Sequence, residues 1–297
     1  MAGFLVTLAL VLLTVYIIML VAVTYVSVHP PRVPIWLSPS MLGFPEEDVS
    51  VEVDGNVLTG WWSDCGDSGV VIVCCHGYLM NRCELMPLMI TLADLRASWV
   101  FFDFRCHGRS GGKTCTMGKN EAHDVAAIVA WVREKRPDAR IVLFGSSMGG
   151  AAATIALGED PGLADALVLD GAFSSMDEAG RGWWNFIGGK WLAFVLAPTV
   201  WLGGFFLGFN PAKVVIADYL KKASHRPVLF LVGDDDPIVS AASAERNIEA
   251  SGPDTYVERF ESTGHGQARF KHPEQYYRAV REFVRTAVMQ GDVASGP

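Results

Sequence analysis

Residues Ile141-Val142-Leu143-Phe144-Gly145-Ser146-Ser147-Met148-Gly149-Gly150-Ala151-Ala152-Ala153 carry an apolar run into a stretch of small residues through the pentapeptide G-x-S-x-G. That order predicts a strand, a sharp turn and a helix, with Ser147 at the turn. Gly145 and Gly149 suit such a turn because side chains there would obstruct the close backbone approach it needs. Ser147 then stands at a helix N-terminus, where free backbone N–H groups and the helix dipole favour the negative charge that grows on a substrate oxygen during acyl transfer. Gly and Ser are also ordinary turn residues, so the flanking strand and helix give the pentapeptide its weight.

A serine hydroxyl is a poor nucleophile at neutral pH and needs a base, and the base needs an orienting acid. The run Val228-Leu229-Phe230-Leu231-Val232 predicts a buried strand that ends in Gly233-Asp234-Asp235-Asp236-Pro237. Asp236 is the candidate acid, since Pro237 restricts it to an extended or turn conformation. Asp234 and Asp235 suit turn hydrogen bonds or solvent. A hard-cation site is the competing reading, but one acidic loop rarely completes a cation shell. Downstream, Thr255-Tyr256-Val257-Glu258-Arg259-Phe260 alternates like a strand and leads into Gly264-His265-Gly266. A histidine between two glycines has little packing role and a backbone free to aim it, so His265 is the candidate base. The chain order Ser147, Asp236, His265 is that of one known triad architecture.

Two upstream motifs complete the constellation. Val70-Val71-Ile72-Val73-Cys74-Cys75 predicts a buried strand ending in His76-Gly77-Tyr78. The backbone N–H groups of Tyr78 and Met148 are the candidate oxyanion-hole donors, and His76 is expected to position its loop through backbone hydrogen bonds. Trp99-Val100-Phe101-Phe102 leads into Asp103-Phe104-Arg105-Cys106-His107-Gly108-Arg109-Ser110-Gly111-Gly112, whose charges are expected to be structural.

The ordered set H-G-x, D-x-R-x-x-G-x-S, G-x-S-x-G, G-x-x-D-x-x-V and G-H-G, from about Val51 to about Arg285, resembles the serine hydrolases of the α/β-hydrolase superfamily. Within it the chain is similar to the membrane-anchored group called Bem46-like or alpha/beta hydrolase domain-containing proteins, in part through Val168-Leu169-Asp170-Gly171-Ala172-Phe173-Ser174-Ser175, although that group more often has Glu-Asn where this chain has Asp170-Gly171. The resemblance implies an α/β fold with a mostly parallel central sheet and helices on both faces. It also implies hydrolysis of an ester, thioester or amide through an acyl-enzyme. The helical spacing of apolar residues from Glu121 to Val132, between two strand runs, independently predicts a parallel crossover.

The superfamily core leaves two segments over. From Phe4 to Val28 no side chain carries a charge, and about 25 residues suffice to cross a hydrocarbon core as a helix. A cleaved signal peptide competes with this reading, but the run is long, no Lys or Arg precedes it and no clear cleavage site follows. The second segment, Trp183 to Phe209, is rich in aromatic residues and holds Lys190 as its single charge. The superfamily often places a cap there, and this one is expected to bind an apolar acyl chain; a self-contained cap core and a second membrane span are the alternatives. A single span there would put Ser147 on the opposite side of the bilayer from Asp236 and His265. The expected organisation is a transmembrane anchor at 1–30, a Pro-containing linker at 31–50, the hydrolase domain at 51–288 with the cap at about 176–222, and a disordered tail at 289–297.

The net charge of −8 and pI near 5.4 leave no basic stripe for nucleic acid. The expected partners are a small-molecule or lipid-like acyl substrate and, through the N-terminal helix, a membrane crossed once. Arg32, just past that helix, places the domain on the cytoplasmic side by the positive-inside tendency. All six cysteines lie between Cys65 and Cys115. They form no evident disulfide framework, Cys74, Cys75 and Cys83 lack zinc-site spacing, and most are expected to be small buried hydrophobes. No cofactor and no metal are expected. A serine peptidase or amidase and a non-catalytic membrane scaffold remain the alternatives to an ester or thioester hydrolase.

Overall fold

The computed structural model describes residues 1–289. Apart from Met289, the predicted tail lies outside the described residues. Eight strands form one sheet in the order β1-β2-β4-β3-β5-β6-β7-β8. They are β1 (Glu47–Val53), β2 (Asn56–Ser63), β3 (Val70–Cys75), β4 (Ser98–Phe102), β5 (Arg140–Ser146), β6 (Ala166–Asp170), β7 (Val228–Gly233) and β8 (Thr255–Phe260). Strand β2 pairs antiparallel with β1 and β4, and every later pairing is parallel. Strands β3 to β6 are buried almost throughout, as expected when helices cover both faces and the strands read as unbroken apolar runs.

Ten α-helices accompany the sheet among the described residues: α1 (Ala2–Val28), α2 (Pro87–Thr91), α3 (Glu121–Lys135), α4 (Met148–Glu159), α5 (Met176–Leu196), α6 (Pro198–Leu207), α7 (Ile216–Lys222), α8 (Ala241–Ala250), α9 (Ala268–Lys271) and α10 (Pro273–Phe283). Two apolar clusters fill the domain, one holding Val71, Val73 and Leu143 with α3 and α4, the other Ile72, Val142 and Phe144 with α2 and α10. Since adjacent strand residues point to opposite faces, these are the two sides of the sheet.

Two boundaries differ from those predicted. The segment 31–50 is no free linker. Arg32 donates to the carbonyls of His107, Ser110 and Gly112, Ile35, Leu37 and Phe44 pack on the second cluster, and β1 already begins at Glu47. The predicted cap overruns the domain at its far end, since Ile216 and Leu220 of α7 are buried in the first cluster and Tyr219 lies against Gly158 of α4. What projects from the sheet is α5, kinked at Gly188 and Gly189, and α6, bent 76° from it.

Helix α1 is apolar on all sides and stands mostly outside the domain. At about 1.5 Å per residue its 27 residues reach about 40 Å, enough for a hydrocarbon core of about 30 Å.

Candidate active site

The crossover from β5 to α4 is made in a single residue. Ser147 has φ +49° and ψ −112°, a backbone state that costs an L-residue on the order of 1–3 kcal/mol and is held by its surroundings. Both flanking glycines are required by contact. A Cβ on Gly145 would lie 2.4 Å from the backbone of Gly150, and one on Gly149 would lie 2.0 Å from the carbonyl oxygen of Cys75. That second contact packs the start of α4 directly on the end of β3, in register with Gly145 opposite Cys75.

His265 and Asp236 reach Ser147 from the ends of β8 and β7. The Nδ1–H of His265 donates to Asp236 Oδ2 at 2.7 Å, and its Nε2 lies 2.9 Å from Ser147 Oγ, positioned to accept the hydroxyl proton. Asp236 Oδ1 accepts the backbone N–H groups of Ile238 and Val239, which fixes the carboxylate in its turn. Asp234 and Asp235 are held through their backbones in this loop, donating to the carbonyls of Phe260 and Thr263. Burial lowers the pKa of His265, but the hydrogen bond and charge of Asp236, with Asp170 and Glu84 nearby, outweigh burial and raise it above the ordinary histidine value.

The N–H groups of Met148 and Tyr78 face no acceptor among the described residues. Tyr78 follows β3 at the point where Gly149 touches that strand. His76 does hold the loop: Nδ1–H donates to the Gly77 carbonyl at 2.8 Å and Nε2 accepts the Phe104 N–H at 3.0 Å. Burial pushes its pKa down to about 4, keeping it neutral as that pattern requires. Two charges of the 103–112 loop are structural, Asp103 pairing with Arg82 and Arg105 with Asp124.

Several residues of the site escape the motif reading. Glu84 accepts the Gly77 N–H at 2.6 Å and the Ser146 hydroxyl at 2.9 Å, so one carboxylate ties together the residues preceding Tyr78 and Ser147. Burial raises the pKa of Glu84, but Arg269, 2.8 Å away, brings it below the ordinary value. Arg269 also lies 3.8 Å from Asp170, which accepts a hydrogen bond from Tyr276, while its Nε and Nη1 lack hydrogen-bond partners among the described residues. Gly171 forms the floor beneath the histidine, with φ +65° and space for a Cβ only 3.1 Å from the His265 ring. These residues lie far apart in sequence with no repeating spacing.

A cleft of about 870 Å³, counting its open side, is lined by Ser147, His265, Tyr78, Met80, Phe173 and Trp183, with Glu84 and Arg269 also on its wall. Away from it, Cys106, His107 and Cys115 bring three buried donor atoms within 4.8 Å of one another. Nothing in their spacing announced this, because a loop of seven residues separates Cys115 from His107. A hydrogen bond from Cys115, aided by His107, holds the Cys106 thiol down to about 6. All six cysteines are free, and all but Cys65 are buried.

Residues 70–216 match the model of the alpha/beta hydrolase fold. An uncharacterised protein of Mycobacterium tuberculosis is 31% identical over 250 residues, covering 82% of this chain and 80% of that protein. The chain belongs to the alpha/beta hydrolase family. Among solved structures, the alpha/beta hydrolase resembles esterase Pf2001 of Pyrococcus furiosus with a TM-score of 0.73 and 26% identity, over 87% of this chain and 98% of the esterase. Lysophosphatidylserine lipase ABHD12 of Bos taurus is 24% identical over 81% of this chain, which spans 65% of that lipase. Family and esterase neighbour together support a hydrolase.

Proposed function

We propose that this alpha/beta hydrolase is a membrane-anchored serine hydrolase that cleaves a carboxylic ester or thioester with an apolar acyl group through an acyl-enzyme. The observation that carries the reading is the unbroken chain Asp236 Oδ2, His265 Nδ1–H, His265 Nε2, Ser147 Oγ, at 2.7 and 2.9 Å. In this mechanism His265 takes the Ser147 proton as Oγ attacks the acyl carbon. Asp236 orients the ring and stabilises the imidazolium, and the N–H groups of Met148 and Tyr78 hold the oxyanion. His265 returns the proton to the leaving group, and water, activated by the same histidine, releases the acyl group.

The surface of the cap supports an apolar acyl substrate met at a bilayer. Phe194, Phe205 and Trp191 are 81%, 79% and 74% exposed, so these aromatics do not fill a core of the cap's own. They suit an interface, where Trp and other amphipathic residues concentrate. Helix α1 is read as an uncleaved anchor because its end is bonded into the domain: Tyr78 Oη–H donates to the Ser27 carbonyl and Cys115 N–H to that of Val28. Cleavage would leave both donors without these acceptors. The reading keeps the cytoplasmic side for the domain, on Arg32 alone. The name of the bovine relative, a lipase of a one-chain phospholipid, is in keeping with an amphiphilic ester.

Fluorophosphonate labelling and ester turnover in the same membranes test the mechanism. Ser147→Ala is expected to abolish labelling and lower turnover by about 10⁴-fold or more. Labelling and turnover that survive the substitution overturn it.

A further inference from the structure

An anchor needs only length and apolarity, and the first turns of α1 are exposed in keeping with that. One face of its last turns is not. Leu20, Thr24 and Val28 are buried, and Tyr16 donates its hydroxyl to the Val195 carbonyl of α5. A Cβ on Gly203 of α6 would sit 3.6 Å from Val28 and 3.7 Å from Thr24, so helix packs on helix at van der Waals contact. Between this end of α1, the cap and the loop 115–117 lies a second cavity of about 660 Å³, counting its open side.

That cavity adjoins the Ser147 cleft across shared walls. Tyr78, Met117 and Trp183 line both. A third opening, against Ala22, Val23 and Val26 on the flank of α1, again shares Tyr78 and Trp183. The two rings meet edge to face with centroids 5.6 Å apart, and they separate three spaces: the reacting serine, an apolar cavity and the side of a helix that enters the bilayer.

The lining of the second cavity selects its occupant. Val28, Met176, Trp184, Val200, Leu207 and Phe209 supply hydrocarbon and aromatic surface. The hydroxyl and thiol donors on its wall are already used, those of Thr116 and Cys115 by Glu121 and Met148. Thr199 Oγ1 accepts from Trp184 Nε1 and donates to the Leu196 carbonyl, the Tyr78 hydroxyl donates to Ser27, and the Ser27 hydroxyl donates to Val23. A polar ligand would lose its hydration there with these donors unavailable to it, whereas a hydrocarbon chain loses nothing.

We propose that this cavity is the acyl-chain subsite, that α1 forms one wall of it as well as the anchor, and that a long acyl chain enters from the bilayer beside Ala22–Val26, past Trp183. The inference rests on the serine-hydrolase reading above. Chain length is then measured by a wall made of α1 and α6, and the helix is a specificity element of the enzyme.

Two measurements on the full chain in lipid nanodiscs test this. Gly203→Trp puts a bulky side chain where α1 and α6 bound the cavity. Each methylene kept from burial costs about fourfold, so excluding two predicts a fall of about tenfold or more in the ratio of kcat/KM for a twelve-carbon over a four-carbon p-nitrophenyl ester. Fluorophosphonate labelling in the same sample counts competent sites. An unchanged ratio with labelling retained overturns the inference. The second measurement needs no substitution: a twelve-carbon alkyl fluorophosphonate with a diazirine at the chain end is bound to Ser147 and photolysed. Adducts in residues 20–28 and 199–207 are expected, and adducts confined to other segments overturn the subsite. Failure of wild type to react with any fluorophosphonate sinks the serine-hydrolase reading, and the subsite with it.

Discussion

At the residue scale, the raised pKa of His265 sets the expected pH dependence. Below that pKa both ring nitrogens carry protons and Nε2 cannot accept the one on Ser147, so activity needs the neutral form. Accordingly, kcat/KM is expected to rise with pH through a midpoint above the ordinary histidine value of about 6.5, and a midpoint at or below that value in a pH–rate profile contradicts the assigned environment. Asp236→Asn removes the principal charge that raises it, and should lower both the midpoint and turnover, the latter by about 10⁴-fold. Gly171 is the subtler test. A methyl group there meets the ring at 3.1 Å in a left-handed backbone that costs an L-residue about 1–2 kcal/mol. Gly171→Ala is therefore expected to cost modest stability but, on the proposed mechanism, about 10- to 100-fold in kcat, because His265 is displaced from Ser147. Equal kcat in the two proteins would mean that the ring does not rest on residue 171.

Among the elements, the short helix α9 does the most for its length. Through Arg269 it secures Glu84, and through Glu84 it braces both the loop after β3 and the elbow after β5. Arg269→Met leaves a carboxylate buried without its cation, which costs about 3–5 kcal/mol where such pairs are broken, and equilibrium denaturation should show the loss. The pH dependence follows from the lowered pKa of Glu84. The pair contributes fully above the ordinary glutamate value of about 4.3 and loses its contribution as pH falls through the lower folded-state value. In Arg269→Met the stability lost relative to wild type should accordingly shrink in acid. A loss that stays constant from neutral pH to below 4 would count against the pair.

Over the whole molecule, α1 and the exposed aromatics of α5 and α6 form two neighbouring apolar surfaces joined by the contacts of Leu20, Trp184 and Leu196. Exposed apolar area on this scale marks an interaction surface in a folded protein. Replacing Trp191, Phe194 and Phe205 together by serine should lower the rate on a long-chain ester in vesicles several-fold relative to a monomeric short ester. Parallel loss on both substrates would instead point to damage within the cleft. The union of Ser147, Asp236 and His265 in one site also removes the alternative of a single membrane crossing between them, since α5 and α6 leave the sheet and return to it on the same side.

What was legible in the sequence was local. The unbroken apolar runs of β3, β5 and β7 declare buried parallel strands because both faces of each are covered, and G-x-S-x-G declares the turn because only small residues tolerate its contacts. The ends of those strands carry Tyr78, Met148 and Asp236, and the end of the neighbouring β8 carries His265, so parallel pairing alone brings them to one edge of the sheet. Tertiary structure decided everything that depends on side chains meeting across long loops. Glu84 and Arg269 are 185 residues apart, Gly171 matters only because His265 lies over it, and Cys115 joins Cys106 and His107 through a loop of no characteristic pattern. The same holds for α1. Its composition states that it can cross a membrane, but composition has no knowledge of Gly203, and only packing makes the last turns of that helix a wall beside the site.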